Sequence, residues 1–497
     1  MHVAPRLLIA FALFFVAVAP ARADLVELNW AHAHRGAQLA RAAGGTELAH
    51  ELRIWRVPSY AVADLRRAGV VRVSEPDRLF QTLAAAQLQA TDPLVPLQWW
   101  RAAIGADQVE SPGAGKPVTV VDSGVDLTHP EFATRPNTTA LNAQTTTEVD
   151  EDHGTEVSSV IAAPNNGVGI VGIYPDAVLR VWDASPFGSL NEGAAIAGIY
   201  EAARRGPGVI NLSFGGEDDD PLLDDAIRFA FRSGSLVVAA AGNDALSGNP
   251  PNFPAFYPHV LTVGATNEAG HVASFSTISP TLDLAAPGVR IPVAEPMSQD
   301  PSGYSIDASG TSFASPLVAG AAAWVWTVRP ELDNTQLFEV MRRSATDIGA
   351  LGFDNASGYG LLNLPAALKF KAPPRDPQEP NEKPRQIEPH GLFADGTPPL
   401  TAPGRTTGSI SARVDRSEDP IDLYRVWAPA GRTLRARVTG SVLVRLLERT
   451  TRERALAVGK HGVATYVNKG KGSYLYAEVR PAVRLAEYKL RLTVARK

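Results

Sequence analysis

The sequence predicts an α/β protein: a parallel sheet flanked by helices, preceded by a small α+β unit and followed by an antiparallel β-sandwich. Three observations carry that reading. From about residue 91 to 370, short β-branched runs alternate with Ala-rich stretches of helical spacing. Strand, helix, strand in series means a parallel sheet with helices on both faces. Over 371–407 proline becomes dense and apolar runs vanish. From 408 to 497 only strand-like alternation remains.

Taken in order, residues 1–23 read as an export signal. His2 and Arg6 precede an apolar run over 7–19, and Ala21-Arg22-Ala23 is a small-x-small cleavage site. That run is shorter than the roughly 20 apolar residues that a spanning helix needs. A secreted or periplasmic protein without a transmembrane segment is expected, an uncleaved anchor being the alternative.

Residues 24–90 form the α+β unit. Leu52-Arg53-Ile54-Trp55-Arg56-Val57 alternates as a strand does. Tyr60, Ala61, Leu65 and Ala68 share one side of a helix that Gly69 stops, and Val70-Val71-Arg72-Val73 starts another strand. In 91–370 the buried strands are Pro117-Val118-Thr119-Val120-Val121, Val178-Leu179-Arg180-Val181-Trp182, Val209-Ile210-Asn211-Leu212, Leu236-Val237-Val238-Ala239-Ala240 and Val260-Leu261-Thr262-Val263. Helices lie over 192–205 and 221–232. Residues 371–407 read as a semi-extended linker. The sandwich strands fall at 423–427, 433–438, 473–479 and 488–494.

Composition narrows the function. A hydrophobic fraction of 45% with 20% charged residues argues against wholesale disorder. The absence of cysteine excludes thiol catalysis, thiolate-bound zinc and iron–sulfur clusters. Residues 371–497 hold 24 basic and 13 acidic residues, net +11, against 23 and 39, net −16, before them. Either these are two independent surfaces, or the basic part holds an anionic surface or substrate. No nucleic-acid partner is expected, and the chain is expected to be a monomer.

Three segments carry chemistry. Asp122 ends a parallel strand, where open α/β sheets place their sites, although Asp is also a common turn residue there. His153, followed by Gly154 and Thr155, starts an Ala-rich stretch. Ser312 follows Gly310-Thr311 at the head of a stretch over 318–326 that is apolar all round and therefore a buried helix. Pro316 is expected within about the first turn, where a missing N–H costs least. The order Asp, His, Ser and the lack of a second Gly argue against an α/β-hydrolase.

Asp122-Ser123-Gly124-Val125-Asp126, His129-Pro130, His153-Gly154-Thr155 and Gly310-Thr311-Ser312-Phe313-Ala314-Ser315-Pro316 resemble the signatures of the subtilisin-like serine proteases, over about 92–370. The resemblance implies a serine endopeptidase with Ser312 as nucleophile, His153 as general base and Asp122 orienting the imidazole. Ala239-Ala240-Ala241-Gly242-Asn243 is similar to the family's strand-to-turn segment, so Asn243 and the Ser312 N–H would hold the oxyanion. Glu156 stands where the family commonly has His, Phe313 replaces the usual Met, and Leu317 a frequent His.

Ser213-Phe214-Gly215-Gly216 resembles the segment that pairs with substrate as an added strand. With Ala239, Ala240, Ala241 and Gly242 it would wall a pocket lacking charge, which implies an apolar or aromatic residue before the scissile bond. Glu217-Asp218-Asp219-Asp220 is either a solvated turn capping the next helix or an acidic rim. No cofactor is needed for this chemistry. Pro164-Asn165-Asn166-Gly167-Val168-Gly169-Ile170 resembles a calcium loop. The resemblance gives carbonyls of Pro164, Val168 and Ile170, the Asn166 side chain, Glu131 and Asp92 as ligands; an ion-free Asn-Gly turn is the alternative.

Residues 24–90 resemble a subtilase propeptide, which would make this segment the enzyme's own inhibitor; a permanent extension is the alternative. Asp376-Pro377-Gln378-Glu379-Pro380-Asn381 and Asp422-Leu423-Tyr424-Arg425-Val426 resemble the bacterial pre-peptidase C-terminal domain. The competing function is a binding or adhesion protein on an inactive protease fold.

Overall fold

Seven strands, each parallel to its neighbours, form the central sheet of the computed structural model. Their order is Leu284–Pro287, Val260–Thr266, Leu236–Ala240, Val209–Leu212, Pro117–Asp122, Val178–Asp183 and Thr138–Ala140. The structure describes residues 23–77, 81–82, 93–146, 152–186, 188–449 and 454–495. The export signal lies almost wholly outside them, as does Asp92. Five of the strands follow their apolar runs. The two edge strands have no expectation from the sequence: Leu-Ala-Ala-Pro lacks β-branched residues and Thr-Thr-Ala is too short to show a period, so their neighbours impose their pairing.

The side-chain alternation of the inner strands divides the interior into two cores. Val238 faces the core shared with helices His153–Ala162 and Thr311–Val328. Val237 and Ala239 face the other, under helices Glu192–Arg204 and Pro221–Arg232. Helix Thr311–Val328 is buried through Trp326, as its all-apolar sequence requires. Pro316 is its sixth residue, beyond the first turn where it was expected.

The N-terminal unit is a four-stranded antiparallel sheet, ordered Thr46–Ala49, Ile54–Pro58, Ala23–Leu28 and Val71–Pro76, with helices Ala33–Ala42 and Ser59–Arg67. Tyr60 is 76% exposed, contrary to the expected packing side. The helix turns Ala61, Val62 and Leu65 inward, because its contact is the Trp55 and Val57 face of the sheet. Leu25, Leu52 and Ile54 join the core of the two helices beneath.

Two four-stranded antiparallel sheets enclose the C-terminal core of Val414, Tyr424, Val426, Leu446 and Leu490. Residues 371–407 do not run free between the domains. They include the helix Pro384–Ile387 and bury Asp376, Asn381, Ile387, Leu392 and Thr401. Among the described residues no helix is long and apolar enough to cross a membrane.

Candidate active site

Asp122 is the last residue of its strand and His153 the first of its helix. The helix can approach because residue 154 is glycine: a Cβ there would lie 2.0 Å from the Gly124 carbonyl oxygen. Gly154 N–H donates to Ser123 Oγ, and Thr155 Oγ1 accepts from Asp126 N–H. These bonds bring the Asp and His segments together, and His153 Nδ1 bonds Asp122 Oδ1 at 2.8 Å. The same oxygen accepts the Ser123 N–H. Both side chains are almost fully buried.

Burial alone would lower the pKa of His153. The charge and hydrogen bond of Asp122, with the charge of Asp152, outweigh burial and raise it above the ordinary value. His153 Nε2 has no hydrogen-bond partner.

Ser312 lies in the first turn of the buried helix. Its hydroxyl donates to the Ser213 carbonyl at 3.1 Å rather than to His153. The Ser213 hydroxyl donates back to the Ser312 carbonyl at 2.9 Å and accepts from Asn211 Nδ2. Pro316 explains the return bond, because it cannot supply the helical N–H that residue 312 would otherwise receive. Asn211 Oδ1 in turn accepts the Ser315 hydroxyl. Asn211 belongs to no motif; its one mark in the sequence is polarity in the middle of the buried strand Val-Ile-Asn-Leu.

Asn243 follows Gly242, whose φ of 106° favours glycine; a Cβ there would also meet Asn252 Nδ2 at 2.2 Å. Asn243 Oδ1 accepts from both Thr311 N–H and Thr311 Oγ1, each at 3.0 Å. Those two bonds fix the amide plane one residue from Ser312.

The strand Phe214–Gly215 pairs antiparallel with Gln81–Thr82, so the chain leaving the N-terminal unit lies along the expected groove. On its far side Gly216 exchanges backbone bonds with Phe253. Phe214 and Ala239 turn their side chains into the core beneath the helices, so neither walls a pocket with its side chain. Ser213, Ala240, Ala241 and Gly242 are also buried, and Gly215 is closed against Asn252 Oδ1. Of the acidic run, Glu217, Asp218 and Asp219 are exposed. Asp220 is buried and caps the next helix by accepting Leu222 N–H and Leu223 N–H.

The three departures from the family pattern are all buried. Glu156 Oε1 has no hydrogen-bond partner; burial, then Asp152, Glu295 and Asp122, push its pKa well above the carboxylate range, which favours a neutral acid. The Phe313 ring lies 6.0 Å from the His153 ring, and Leu317 packs in the core.

At the suggested calcium loop, buried Glu131 accepts from Ile170 N–H and the Tyr304 hydroxyl, each at 3.0 Å. Asn166 Oδ1 accepts Val168 N–H, and the Pro164 carbonyl accepts Asn166 N–H. Leu94 N–H donates to the Gly169 carbonyl, which brings the chain just after Asp92 to the same loop.

A buried carboxylate–imidazole pair and a serine at the head of a buried helix, both carried by a parallel α/β sheet, are the parts that serine-dependent acyl transfer requires. The Subtilase family profile matches residues 113–360. Subtilisin of Bacillus pumilus is 36% identical over 279 residues, 53% of this chain and 98% of that protein. Subtilisin NAT of Bacillus subtilis subsp. natto is also 36% identical, over 53% of this chain and 71% of that one. The chain belongs to the subtilase family. The crystal structure of fervidolysin from Fervidobacterium pennivorans, a keratinolytic enzyme related to subtilisin, has a TM-score of 0.58 at 22% identity. It covers 90% of this chain and 69% of that one, a likeness of fold.

Proposed function

We propose that Asp122, His153 and Ser312 are the catalytic triad of this endopeptidase, with Asn243 and the Ser312 N–H as its oxyanion hole. The observation that carries the reading is the 2.8 Å bond between buried Asp122 and His153. It selects the tautomer with the proton on Nδ1 and leaves Nε2 to take the Ser312 proton. The Thr311 bonds to Asn243 Oδ1 support the oxyanion role, since they fix which end of the amide is the oxygen and hold its plane one residue from Ser312. Full-length protein should hydrolyse peptides, and Ser312→Ala and His153→Ala should not. Undiminished hydrolysis by Ser312→Ala overturns the assignment.

We also propose that residues 1–23 direct export, that residues 24–90 are a propeptide, that 91–370 are the catalytic domain and that 371–407 join it to a C-terminal domain over 408–497. Pairing of Gln81–Thr82 with Phe214–Gly215 supports the propeptide reading, because the segment lies where a substrate strand would. Self-cleavage between about residues 80 and 93 follows, and Ser312→Ala protein should keep the segment. Recovery of trimmed Ser312→Ala protein without other proteases counts against it.

The uncharged pocket segments favour Leu, Phe, Tyr or Met before the scissile bond. Exposed Glu217, Asp218 and Asp219 favour basic residues upstream. A peptide library reads both, and a strict Arg or Lys requirement before the bond contradicts them. A structural calcium ion would be held by Glu131 with the carbonyls of the 164–170 loop; the adjacency of Glu131, Ile170 and Leu94 supports that set. On the C-terminal sheet Arg437 stands opposite Arg491, and both are exposed, which supports contact with an anionic surface.

A further inference from the structure

Three parts of the chain meet at Asp225, which is fully buried in helix Pro221–Arg232 of the catalytic domain. Its Oδ2 accepts from Arg72 Nη2 of the N-terminal unit at 2.9 Å and from Arg385 Nη1 of the joining segment at 2.6 Å. Arg72 also bonds Glu27, and Glu27 Oε1 accepts Arg53 Nη2 at 3.1 Å. Arg53 Nη2 donates in turn to the Gly391 carbonyl at 3.3 Å. The circuit therefore starts in the joining segment at Arg385 and returns to it at Gly391. Glu27 and Arg53 are buried along it. Removing one partner from a buried pair leaves an uncompensated charge, which is strongly destabilising.

Ring and apolar contacts close the same junction. The His390 ring stacks on Trp30, with centroids 5.1 Å apart and planes 25° from parallel. The Arg53 guanidinium also lies over the Trp30 ring, at 4.8 Å. Leu392 and Phe393 belong to the same apolar cluster as Leu25, Leu52 and Ile54 of the N-terminal unit. Arg232 holds this turn from the catalytic domain. It donates to the Gly396 carbonyl at 2.8 Å and lies over the Phe393 ring at 5.2 Å. Arg53 has φ 57° and His390 φ 61°, the left-handed region that residues other than glycine seldom adopt. Such backbone persists where surrounding contacts hold it, and both residues meet at Trp30.

The junction is also built to part. A cavity of about 590 Å³ remains in it, lined by Leu28, Trp30, Trp55, Phe229, Leu392 and Phe393. A protein interior is normally close-packed, so a gap of this size means fewer contacts to lose on separation.

We propose that residues 384–396 of the joining segment form part of the binding surface for the N-terminal unit and slow its release from the catalytic domain after cleavage. The proposal rests on the reading of residues 24–90 as a propeptide. Chemistry fixes the partner as the chain's own N-terminal unit: the Gly391 carbonyl takes a guanidinium, His390 takes an indole, and Asp225, already holding Arg385, takes a second guanidinium. Linkage makes the effect reciprocal, so the segment holds the unit as much as the unit orders the segment. The C-terminal part thereby enters the timing of activation, although it carries none of the proposed catalytic residues.

The test follows freshly self-cleaved full-length protein. Size-exclusion reads loss of the N-terminal fragment, and peptide hydrolysis is recorded in parallel. His390→Gly removes the ring and keeps the left-handed backbone accessible. It should release the fragment roughly 2–10-fold faster, the worth of one aromatic pair, and shorten the lag before hydrolysis equally. Trp30→Ala should also speed release, and in that background His390→Gly should add little. Parental release rates in both variants, or strictly additive effects, overturn the proposal. A second measurement needs no substitution at the junction. Amide exchange over 384–396 should be faster in released enzyme blocked at Ser312 with a fluorophosphonate than in uncut Ser312→Ala protein; equal exchange overturns the proposal. Full hydrolysis by a parent that still carries residues 24–90 overturns the propeptide reading, and this proposal with it. A parent that is cut and latent, with variants that release at its rate, overturns this proposal alone.

Discussion

Ser213 and Ser312 exchange hydrogen bonds, the hydroxyl of each donating to the carbonyl of the other, at 2.9 Å from Ser213 and 3.1 Å from Ser312. The first satisfies a carbonyl that Pro316 strands. The second turns the proposed nucleophile away from His153 while Gln81–Thr82 lies along the groove. Releasing it costs about one net hydrogen bond, roughly 0.5–1.5 kcal/mol, which the contacts of a bound substrate can offset.

Ser213→Ala should therefore act mainly on stability. It leaves the Ser312 carbonyl and Asn211 Nδ2 without their partner, at a cost of about 1–3 kcal/mol. Melting of the inhibitor-blocked enzyme should fall accordingly, with kcat/KM reduced by no more than about tenfold. An unchanged melting temperature contradicts the account.

The pH profile follows from His153. Its pKa is raised in the fold, and the base must be neutral to act, so kcat/KM should rise with a midpoint above about 6.5. Stability runs the other way: the charged pair with Asp122 stabilises fully below about pH 6.5, and that gain is lost as pH rises through the folded pKa. Asp152→Asn should lower the kinetic midpoint without abolishing activity. A midpoint below 6 in the parent enzyme is the contrary result.

Gly154→Ala tests whether close approach positions the base. The new Cβ would meet the Gly124 carbonyl oxygen at 2.0 Å, so the helix carrying His153 must shift. A displacement near 1 Å costs on the order of 100-fold in kcat/KM. Near-normal kcat/KM in a folded Gly154→Ala enzyme is incompatible with this geometry.

Release of the N-terminal unit should depend on Asp77. Its carboxylate accepts Gly193 N–H, in the first turn of helix Glu192–Arg204, at 2.8 Å, and pairs with Arg56 at 2.6 Å. Asp225 adds a second anchor, holding Arg72 of this unit and Arg385 of the joining segment. In Asp77→Ala protein the cut fragment should dissociate at least tenfold faster, a change of about 1.4 kcal/mol. Size-exclusion of freshly cleaved protein measures it, and unaltered co-elution argues against the anchor.

Much of this was legible in the sequence because buried parallel strands and an all-apolar helix leave plain compositional marks. The proposed triad segments were readable through their resemblance to the subtilase signatures, since Asp122 at a strand end and His153 before Gly154 carry no compositional mark of their own. The edge strands Thr138–Ala140 and Leu284–Pro287 were not, since tertiary neighbours rather than propensity make them strands. The Ser213–Ser312 exchange needed the helix start, which puts Pro316 beyond the first turn. The packed course of residues 371–407 was hidden because proline and acidic residues read as exposed until Arg228 and Arg413 are seen facing Glu382 and Asp376.

The most direct measurement is the site of covalent modification by a fluorophosphonate, read by intact mass and peptide mapping of processed enzyme. The account predicts one adduct per molecule, on Ser312, absent from Ser312→Ala and greatly slowed in His153→Ala. Correctly processed protein that takes up no adduct, or carries it on another residue, would contradict the assignment of Ser312 as the nucleophile.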